Sequence, residues 1–255
     1  AEIGFDNIEL TIEMASLGSH PVCRREGQRQ LARQIRDTGV SLAGLCCDTF
    51  MERPLVSADA AVRESSSAML KTLLTAGAEA GLPMIEIPML GDNSLKDGAA
   101  VDVFEGVLDS ALENAASLGI DILLETDLDA EPQADFLRRH DHPNLGINYD
   151  CGNSTYFGYD PAKEIGAYAD RIRNVHVKDC TQADYSVPLG TGDTDFPAIF
   201  SALSDSEYRG GFILQAARQP DDLRRDHVKT DRRQISRCGV GEGGTVGRHA
   251  NRQVD

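Results

Sequence analysis

Four polar residues stand at the ends of short apolar segments and together could bind a metal ion. They are Glu125 after ILL, Asp150 after GINY, His176 within NVHVKD and Gln215 within FILQAAR. Two carboxylates, an imidazole and an amide oxygen form a hard, mixed set of oxygen and nitrogen ligands. Such a set is more typical of a site for Mn²⁺, Mg²⁺ or Co²⁺ than of a structural zinc site with thiolate ligands. The pattern predicts a divalent metal site, provided that the fold brings these segment ends together.

Each of these residues also has a simpler explanation when it is taken alone. An acidic residue at a strand end is commonly a helix cap or a solvated charge, and a single histidine is commonly a hydrogen-bonded structural residue. Neither capping nor core packing requires four candidate ligands on four successive strand ends. The combination therefore favours the metal site.

Other polar residues near predicted strand ends could bind the hydroxyl groups of a polyol. These residues are Glu9, Glu86, Asn93, Asn153 and Lys178. Arg218 could hold a phosphate or a carboxylate, whereas Glu9 and Glu86 could instead brace the inner rim.

Two further motifs carry weaker signals. Cys151 adjoins Asp150, but a nucleophilic role is disfavoured because no histidine other than the proposed ligand His176 lies at a matching strand end. The run GTGD at residues 190–193 looks like a phosphate-binding loop, yet it lacks the lysine and the length of a P-loop. We interpret it as a loop that precedes a helix.

Seven short apolar segments predict β-strands, and helical patterns separate them. The strands are expected at residues 4–10, 41–47, 83–90, 121–126, 145–149, 172–177 and 211–216. The helices are expected at residues 29–37, 60–80, 101–118, 130–140, 161–170 and 196–203. Glycines at 39, 81 and 119 and in the RGG run at 209–211 stand where helix ends favour a left-handed residue. This alternation predicts parallel strands joined by helical crossovers.

The arrangement of polar residues distinguishes between two α/β architectures. A nucleotide-binding open sheet would carry a glycine-rich fingerprint, which is absent, whereas a barrel gathers side chains from the ends of many strands. We predict a TIM (β/α)8-type barrel over residues 1–218 with seven of its eight units. The first strand and helix are expected upstream, with residues 1–3 as the end of that helix, unless the sequence pattern hides a strand. Residues 219–255 are expected to be at best partly ordered.

Composition and charge exclude several classes of protein. The 255 residues include 25 Lys and Arg against 41 Asp and Glu, a net charge of -16, which disfavours binding to nucleic acid or anionic lipid. Neither a membrane-spanning apolar run nor a signal peptide is evident. The six cysteines form no CxxC pair, which favours reduced thiols. The sequence predicts a soluble, cytoplasmic protein.

A resemblance to the sugar phosphate isomerase/epimerase family spans about residues 4–218. It is carried, in order, by GFDNIEL, EIPMLGDNSL, LLETD, NYDCGNS, NVHVKD, PLGTGDTDF and GFILQAAR. That family has the xylose isomerase-like barrel and includes ketose and pentulose-phosphate 3-epimerases. The resemblance implies a divalent metal held by Glu, Asp, His and Glu, of which Glu125, Asp150 and His176 match three, and it implies that the family's first strand is absent here.

The fourth ligand position departs from the family because it falls on Gln215. In a two-base epimerase one carboxylate removes the proton α to the carbonyl and another returns it on the opposite face, while the metal stabilises the enediolate. Gln215 can offer an oxygen to a metal but cannot transfer a proton at neutral pH. Glu125 is the expected catalytic base, either alone or with a second proton carrier such as Lys178, Glu86 or Asp193. Otherwise activity is lost.

The leading expectation is a metal-dependent isomerase or epimerase of a small sugar or sugar phosphate. A dehydratase of a keto-polyol on the same barrel is the first alternative, and a catalytically impaired remnant that binds sugar or metal is another. An endonuclease IV-type repair enzyme is disfavoured, because it needs several histidines and a basic surface. A seam left by the absent strand would favour self-association as a homo-oligomer.

Overall fold

A computed structural model describes residues 4–215, in which seven parallel strands form a nearly closed barrel. Their order around the barrel follows the sequence, and each strand pairs in parallel with the next. The strands are β1 Asn7–Thr11, β2 Ser41–Cys46, β3 Met84–Met89, β4 Asp121–Thr126, β5 Leu145–Asp150, β6 Ile172–Val177 and β7 Gly211–Leu214. The predicted barrel is confirmed. The expectations for residues 1–3, for Arg218 and for residues 219–255 lie outside the described residues.

Helices follow the strands and surround the barrel. Those of the described chain are α1 Arg25–Thr38, α2 Thr49–Glu52, α3 Ala60–Glu79, α4 Gly98–Leu118, α5 Ala130–Arg139, α6 Cys151–Phe157, α7 Pro161–Tyr168 and α8 Phe196–Asp205. The sequence pattern predicted six of them and missed α2 and α6, because helices this short show too few turns for periodicity. No helix among them is both long and apolar enough to cross a membrane.

Aspartate side chains begin most of these helices. The residues before α3, α4, α5, α7 and α8 are all aspartates whose carboxylates accept backbone N–H bonds of the first turn. Such caps satisfy donors that have no partner within the helix. Part of the acidic excess therefore serves to start helices.

Glycine follows helix ends at three predicted positions but not at a fourth. Gly39, Gly81 and Gly119 adopt left-handed φ angles of 70°, 78° and 67° after α1, α3 and α4. The prediction for the glycines at 209–211 was wrong, since α8 stops earlier and Glu207 takes the left-handed conformation with φ 55°. Gly210 is needed for another reason, because a β-carbon there would collide with the Tyr208 side chain.

Side chains alternate between the two faces of the strands. Outward residues such as Ile85, Leu124 and Ile147 join one hydrophobic core against the helices. Inward residues of the neighbouring positions are polar instead: Glu86, Glu125, Asn148, Asp150, Asn174 and His176, all buried. The period of two thus separates an apolar outer layer from a polar barrel interior.

The barrel is open between β1 and β7. Within residues 4–215 each of these two strands has a neighbour on one side only. A groove of about 200 Å³ lies between them, lined by residues 5–9 and 212–214. Ile8 is 45% exposed beside it, so the seam expected from the seven-strand pattern is a feature of the described fold.

Candidate metal and sugar site

Glu125, Asp150 and His176 meet at the carboxyl ends of three successive strands. The pairing of β5 with β6 sets Asp150 directly opposite His176. His176 Nδ1 lies 3.5 Å from Glu125 Oε2 and 4.0 Å from Asp150 Oδ2. All three side chains are buried, and each offers a ligand atom within 4.8 Å of the others. The convergence of this trio, on which the metal prediction depended, is present.

The opposite nitrogen of the His176 ring faces two other carboxylates. Nε2 lies 2.8 Å from Glu9 Oε1 and 3.2 Å from Glu86 Oε2. Glu9 is itself fixed, because its Oε2 accepts a 3.0 Å bond from Asn174 Nδ2. A histidine that binds metal usually donates its other ring N–H to a carboxylate, which sets the tautomer. Glu9 is placed to do this and so to direct Nδ1 toward Glu125 and Asp150.

Two potential ligand atoms of the predicted metal-binding set, His176 Nδ1 and Gln215 Oε1, are buried without a hydrogen-bond partner. Gln215 directly follows β7, and its backbone N–H donates a 3.1 Å bond to Val177 O on the neighbouring strand. Buried polar atoms are normally paired, so the unpaired His176 Nδ1 beside Glu125 and Asp150, with the unpaired Gln215 Oε1 after the next strand, fits a bound cation. The chemistry of the set fits Mn²⁺, Mg²⁺ or Co²⁺.

Glu125 is held as an ionised carboxylate. Asn148 Nδ2 donates a 2.9 Å bond to its Oε2, and Asn153 Nδ2 donates to its Oε1. Burial by itself would raise the pKa of Glu125, but interactions with His176, Glu86 and Lys178 outweigh it and lower the pKa to about 2. The side chain is therefore charged, and its orientation is fixed from two sides.

The pKa values of the neighbouring His176 and Glu86 are raised. Burial alone would lower the pKa of His176, yet the charges of Glu86 and Glu9, with the contact to Glu125, raise it well above its ordinary value. Burial raises the pKa of Glu86 well above its ordinary value, although the His176 charge opposes this. The raised pKa favours the protonated ring, and binding of a cation at Nδ1 would displace a proton from that nitrogen.

Asp150 links the site to helix α6. Its Oδ1 accepts the Asn153 N–H at 2.9 Å as the helix cap, while its Oδ2 faces His176 and the Lys178 ammonium. Lys178 Nζ lies 3.5 Å from that oxygen and donates a 2.8 Å bond to Asn153 Oδ1. Lys178 and Asn153 thus lie beside the metal-candidate trio, where substrate binding was predicted.

Asn93 and Cys151 have structural roles and are not placed to act on a ligand. Asn93 is fully buried, and its amide braces the chain by accepting from Leu55 N and donating to Pro88 O, both at 2.8 Å. Cys151 is also fully buried, and burial with the Asp150 charge raises the pKa of its thiol well above the ordinary value, which disfavours a nucleophile. The five described cysteines are free.

The GTGD loop is filled by a carboxylate of the chain itself. Backbone N–H groups of Gly190, Thr191 and Gly192 donate to Asp179 Oδ2 at 2.8, 3.1 and 2.9 Å. These donors are not free for a phosphate group. The motif therefore fixes the loop that follows β6, as its interpretation as a connecting loop predicts.

Three residues of the site have no counterpart in the sequence prediction. Asn148 and Asn174 stand two residues before Asp150 and His176, so the period of two could have revealed them as inward-facing. Tyr185 lies in the loop after β6, and its ring centre is 3.6 Å from Lys178 Nζ. Its position depends on how that loop folds back, for which the sequence gives no periodic signal.

Comparison with known proteins gives a consistent result. Residues 1–233 match the family model described as xylose isomerase-like TIM barrel. An L-ribulose-5-phosphate 3-epimerase of Salmonella heidelberg is 26% identical over 230 residues, which cover 84% of this chain and 78% of that protein. An inosose dehydratase of Geobacillus kaustophilus is 34% identical over 114 residues, 37% of each chain. The structure of a xylose isomerase domain protein from Planctomyces limnophilus superposes with a TM-score of 0.76 at 19% identity, covering 94% of this chain and 90% of that one.

Proposed function

Because the chain belongs to the xylose isomerase-like TIM barrel family, we propose that it is a divalent-metal-dependent sugar isomerase, with epimerisation of a ketose or ketose phosphate as its first candidate reaction. The proposal depends on the different surroundings of the two His176 ring nitrogens. Nε2 contacts Glu9, whereas Nδ1 faces Glu125 and Asp150. The similarity to an L-ribulose-5-phosphate 3-epimerase supports the substrate class.

The residues that would hold the metal are Glu125, Asp150, His176 and Gln215. A bound divalent ion would hold the carbonyl and adjacent hydroxyl oxygens of a ketose and stabilise the charge that develops on them. Asn148 and Asn153 orient Glu125, which accepts the proton from the carbon α to the carbonyl. Lys178 and Asn153 provide donors for the substrate hydroxyl groups at the same rim.

Return of the proton is the step in which this chain departs from a two-carboxylate design. Gln215 has no exchangeable acidic proton at neutral pH. Glu125 can return the proton to the same carbon face or to the neighbouring carbon, which gives exchange or isomerisation. Inversion of the carbon requires a second carrier, for which Glu86 and Lys178 stand next to the site.

A dehydratase is the second candidate function. Removal of water from a keto-polyol also begins with loss of a proton α to a carbonyl, but a proton is then given to the leaving hydroxyl group, which departs as water, and none is returned to carbon. The absence of a carboxylate at Gln215 suits this outcome, and the similarity to an inosose dehydratase over 114 residues supports it.

Deuterium exchange tests the proposal directly. The full chain is incubated in D₂O with a panel of ketoses and ketose phosphates, with Mn²⁺ or with EDTA. We expect Mn²⁺-dependent deuterium incorporation at the carbon α to the carbonyl, and its loss in Glu125→Gln. The partly exposed Glu105→Gln on α4 is the matched control. Loss of water from a keto-polyol would instead identify the dehydratase.

Gln215→Glu provides the complementary test, because it restores an ionisable group at the fourth position. We expect tighter Mn²⁺ binding and faster inversion of the carbon than in the unchanged chain. If Mn²⁺ binds but no substrate exchanges in either form, the chain is a binding remnant and the enzymatic proposal is wrong.

A further inference from the structure

Two exposed tyrosines stand at the mouth of the site. Among the described residues, only four large hydrophobic side chains are exposed, and two of them are Tyr156, at 37%, and Tyr185, at 43%. Tyr156 lies on α6, which begins directly after Asp150, and Tyr185 lies in the loop after β6. Their rings meet edge to face with centres 5.1 Å apart. Exposed aromatic surface beside a polar site is typical of ligand recognition.

Tyr185 is directed toward the reacting groups. Its ring covers the Lys178 ammonium at 3.6 Å, and that ammonium lies 3.5 Å from Asp150 Oδ2. Burial, followed by the charges of Glu125 and Asp150, raises the pKa of Tyr185, which agrees with a hydroxyl that faces these carboxylates. One edge of the tyrosine therefore borders the site while the rest of the ring meets solvent.

The loop that carries Tyr185 is fixed on both sides. Thr181 Oγ1 accepts the Asp184 N–H at 2.9 Å, and Val187 N–H donates to Asp179 O at 2.9 Å. An exposed aromatic ring on an anchored loop is pre-organised, so little entropy is lost when a ligand packs against it.

The charges near the two rings favour an uncharged ligand. Glu125 and Asp150 lie on the inner side, and the nearby Lys178 ammonium bonds Asn153 and lies 3.5 Å from Asp150 Oδ2. A phosphate group placed against Tyr185 would meet two carboxylates, and Lys178 is the one cation that contacts the ring among the described side chains. The apolar C–H face of a sugar ring meets no such repulsion.

We propose that Tyr156 and Tyr185 form a stacking subsite for a second, uncharged sugar ring joined to the reacting ketose, so that the substrate class is a glycosylated ketose. The inference rests on the proposed function, which sets the reacting ketose at Glu125 and Asp150. A single sugar held there borders Tyr185, and Tyr156 extends the aromatic surface away from the carboxylates toward solvent.

Binding measurements test the subsite independently of turnover. The probes are D-fructose, D-fructose 6-phosphate and isomaltulose, which is fructose with glucose on its O6, titrated in Mn²⁺ by calorimetry and saturation-transfer NMR. We expect isomaltulose to bind about tenfold more tightly than fructose, the scale of one good aromatic contact. Tyr156→Ala should remove this preference, and Tyr156→Phe, which keeps the ring, should retain it.

Several results would overturn the subsite. The first is that fructose 6-phosphate binds most tightly of the three probes, and the second is that isomaltulose does not bind. The third is that a folded Tyr156→Ala variant loses the same affinity for all three probes. Failure of the proposed function looks different, because isomaltulose would then still bind through Tyr156 while no probe exchanges deuterium. Exchange of fructose without any preference for isomaltulose would retain the function and reject the subsite.

Discussion

The two nitrogens of His176 have different surroundings, and the chemistry proposed for the site depends on that difference. Glu9 bonds Nε2 at 2.8 Å and is in turn bonded by Asn174. Replacing Glu9 with Gln removes the negative acceptor while keeping the size of the side chain. We expect Mn²⁺ affinity to fall by about 10- to 100-fold, the usual effect of changing a carboxylate behind a ligand histidine. Isothermal titration of Glu9→Gln beside the exposed Glu113→Gln measures this, and equal affinities would refute the positioning role.

Glu164 makes the stability of the fold depend on pH. It is buried on α7, it accepts bonds from Tyr149 Oη and Ser154 Oγ, and burial raises its pKa to about 7 from an ordinary 4.5. The folded chain therefore holds a proton that the unfolded chain releases between these values. Stability should fall as pH rises through that window, by at most roughly 3 kcal/mol, and then level off.

Urea unfolding at a series of pH values tests this prediction on the unchanged chain and on Glu164→Gln. The amide can still accept both hydroxyl bonds but does not titrate. We expect a flatter profile in the variant across the same window, whereas parallel profiles would assign the pH dependence to other groups.

At the scale of elements, Asp179 organises the loop between β6 and α8. Its two carboxylate oxygens accept backbone N–H bonds from Gly190, Thr191, Gly192 and Thr194. In Asp179→Ala these donors lose a charged acceptor, so we expect a loss of about 2–4 kcal/mol in unfolding free energy. Denaturant unfolding beside Asp184→Ala, an exposed loop residue, provides the comparison. A loss of less than about 0.5 kcal/mol, as at ordinary surface sites, would mean that water replaces the carboxylate without cost.

The strands and the longer helices could be predicted because burial imposes a period on their residues. The trio of Glu125, Asp150 and His176 followed from that pattern, since carboxyl ends of parallel strands share one face of a barrel. The short helix α6 was hidden, although Asp150 and Asn153 are spaced as a cap and its first turn. Tyr185 could not be predicted, because its position depends on how the loop after β6 folds back, for which the sequence gives no periodic signal.

At the scale of the whole molecule, we expect the seam between β1 and β7 to determine whether the chain associates with itself. Within residues 4–215 each of these strands has an unpaired edge, and the exposed Ile8 lies on β1; such edges pair readily with another chain. We expect the purified chain to self-associate as its concentration rises, and Ile8→Lys to reduce this. Light scattering after size exclusion measures both. A monomer at all concentrations would show that the seam is protected.

The separation of the apolar outer layer from the polar interior has a consequence for evolutionary change. Residues such as Ile85, Leu124 and Ile147 fasten the strands to the helices, whereas Glu86, Asn148 and Asn174 face the interior and contribute little apolar burial. We expect a substitution of one interior residue to change which hydroxyl groups or ions bind there. The apolar packing of the strands against the helices is not altered by such a substitution. Proteins with this architecture can therefore change their ligand specificity through single substitutions inside the barrel while the packing that stabilises the fold is kept.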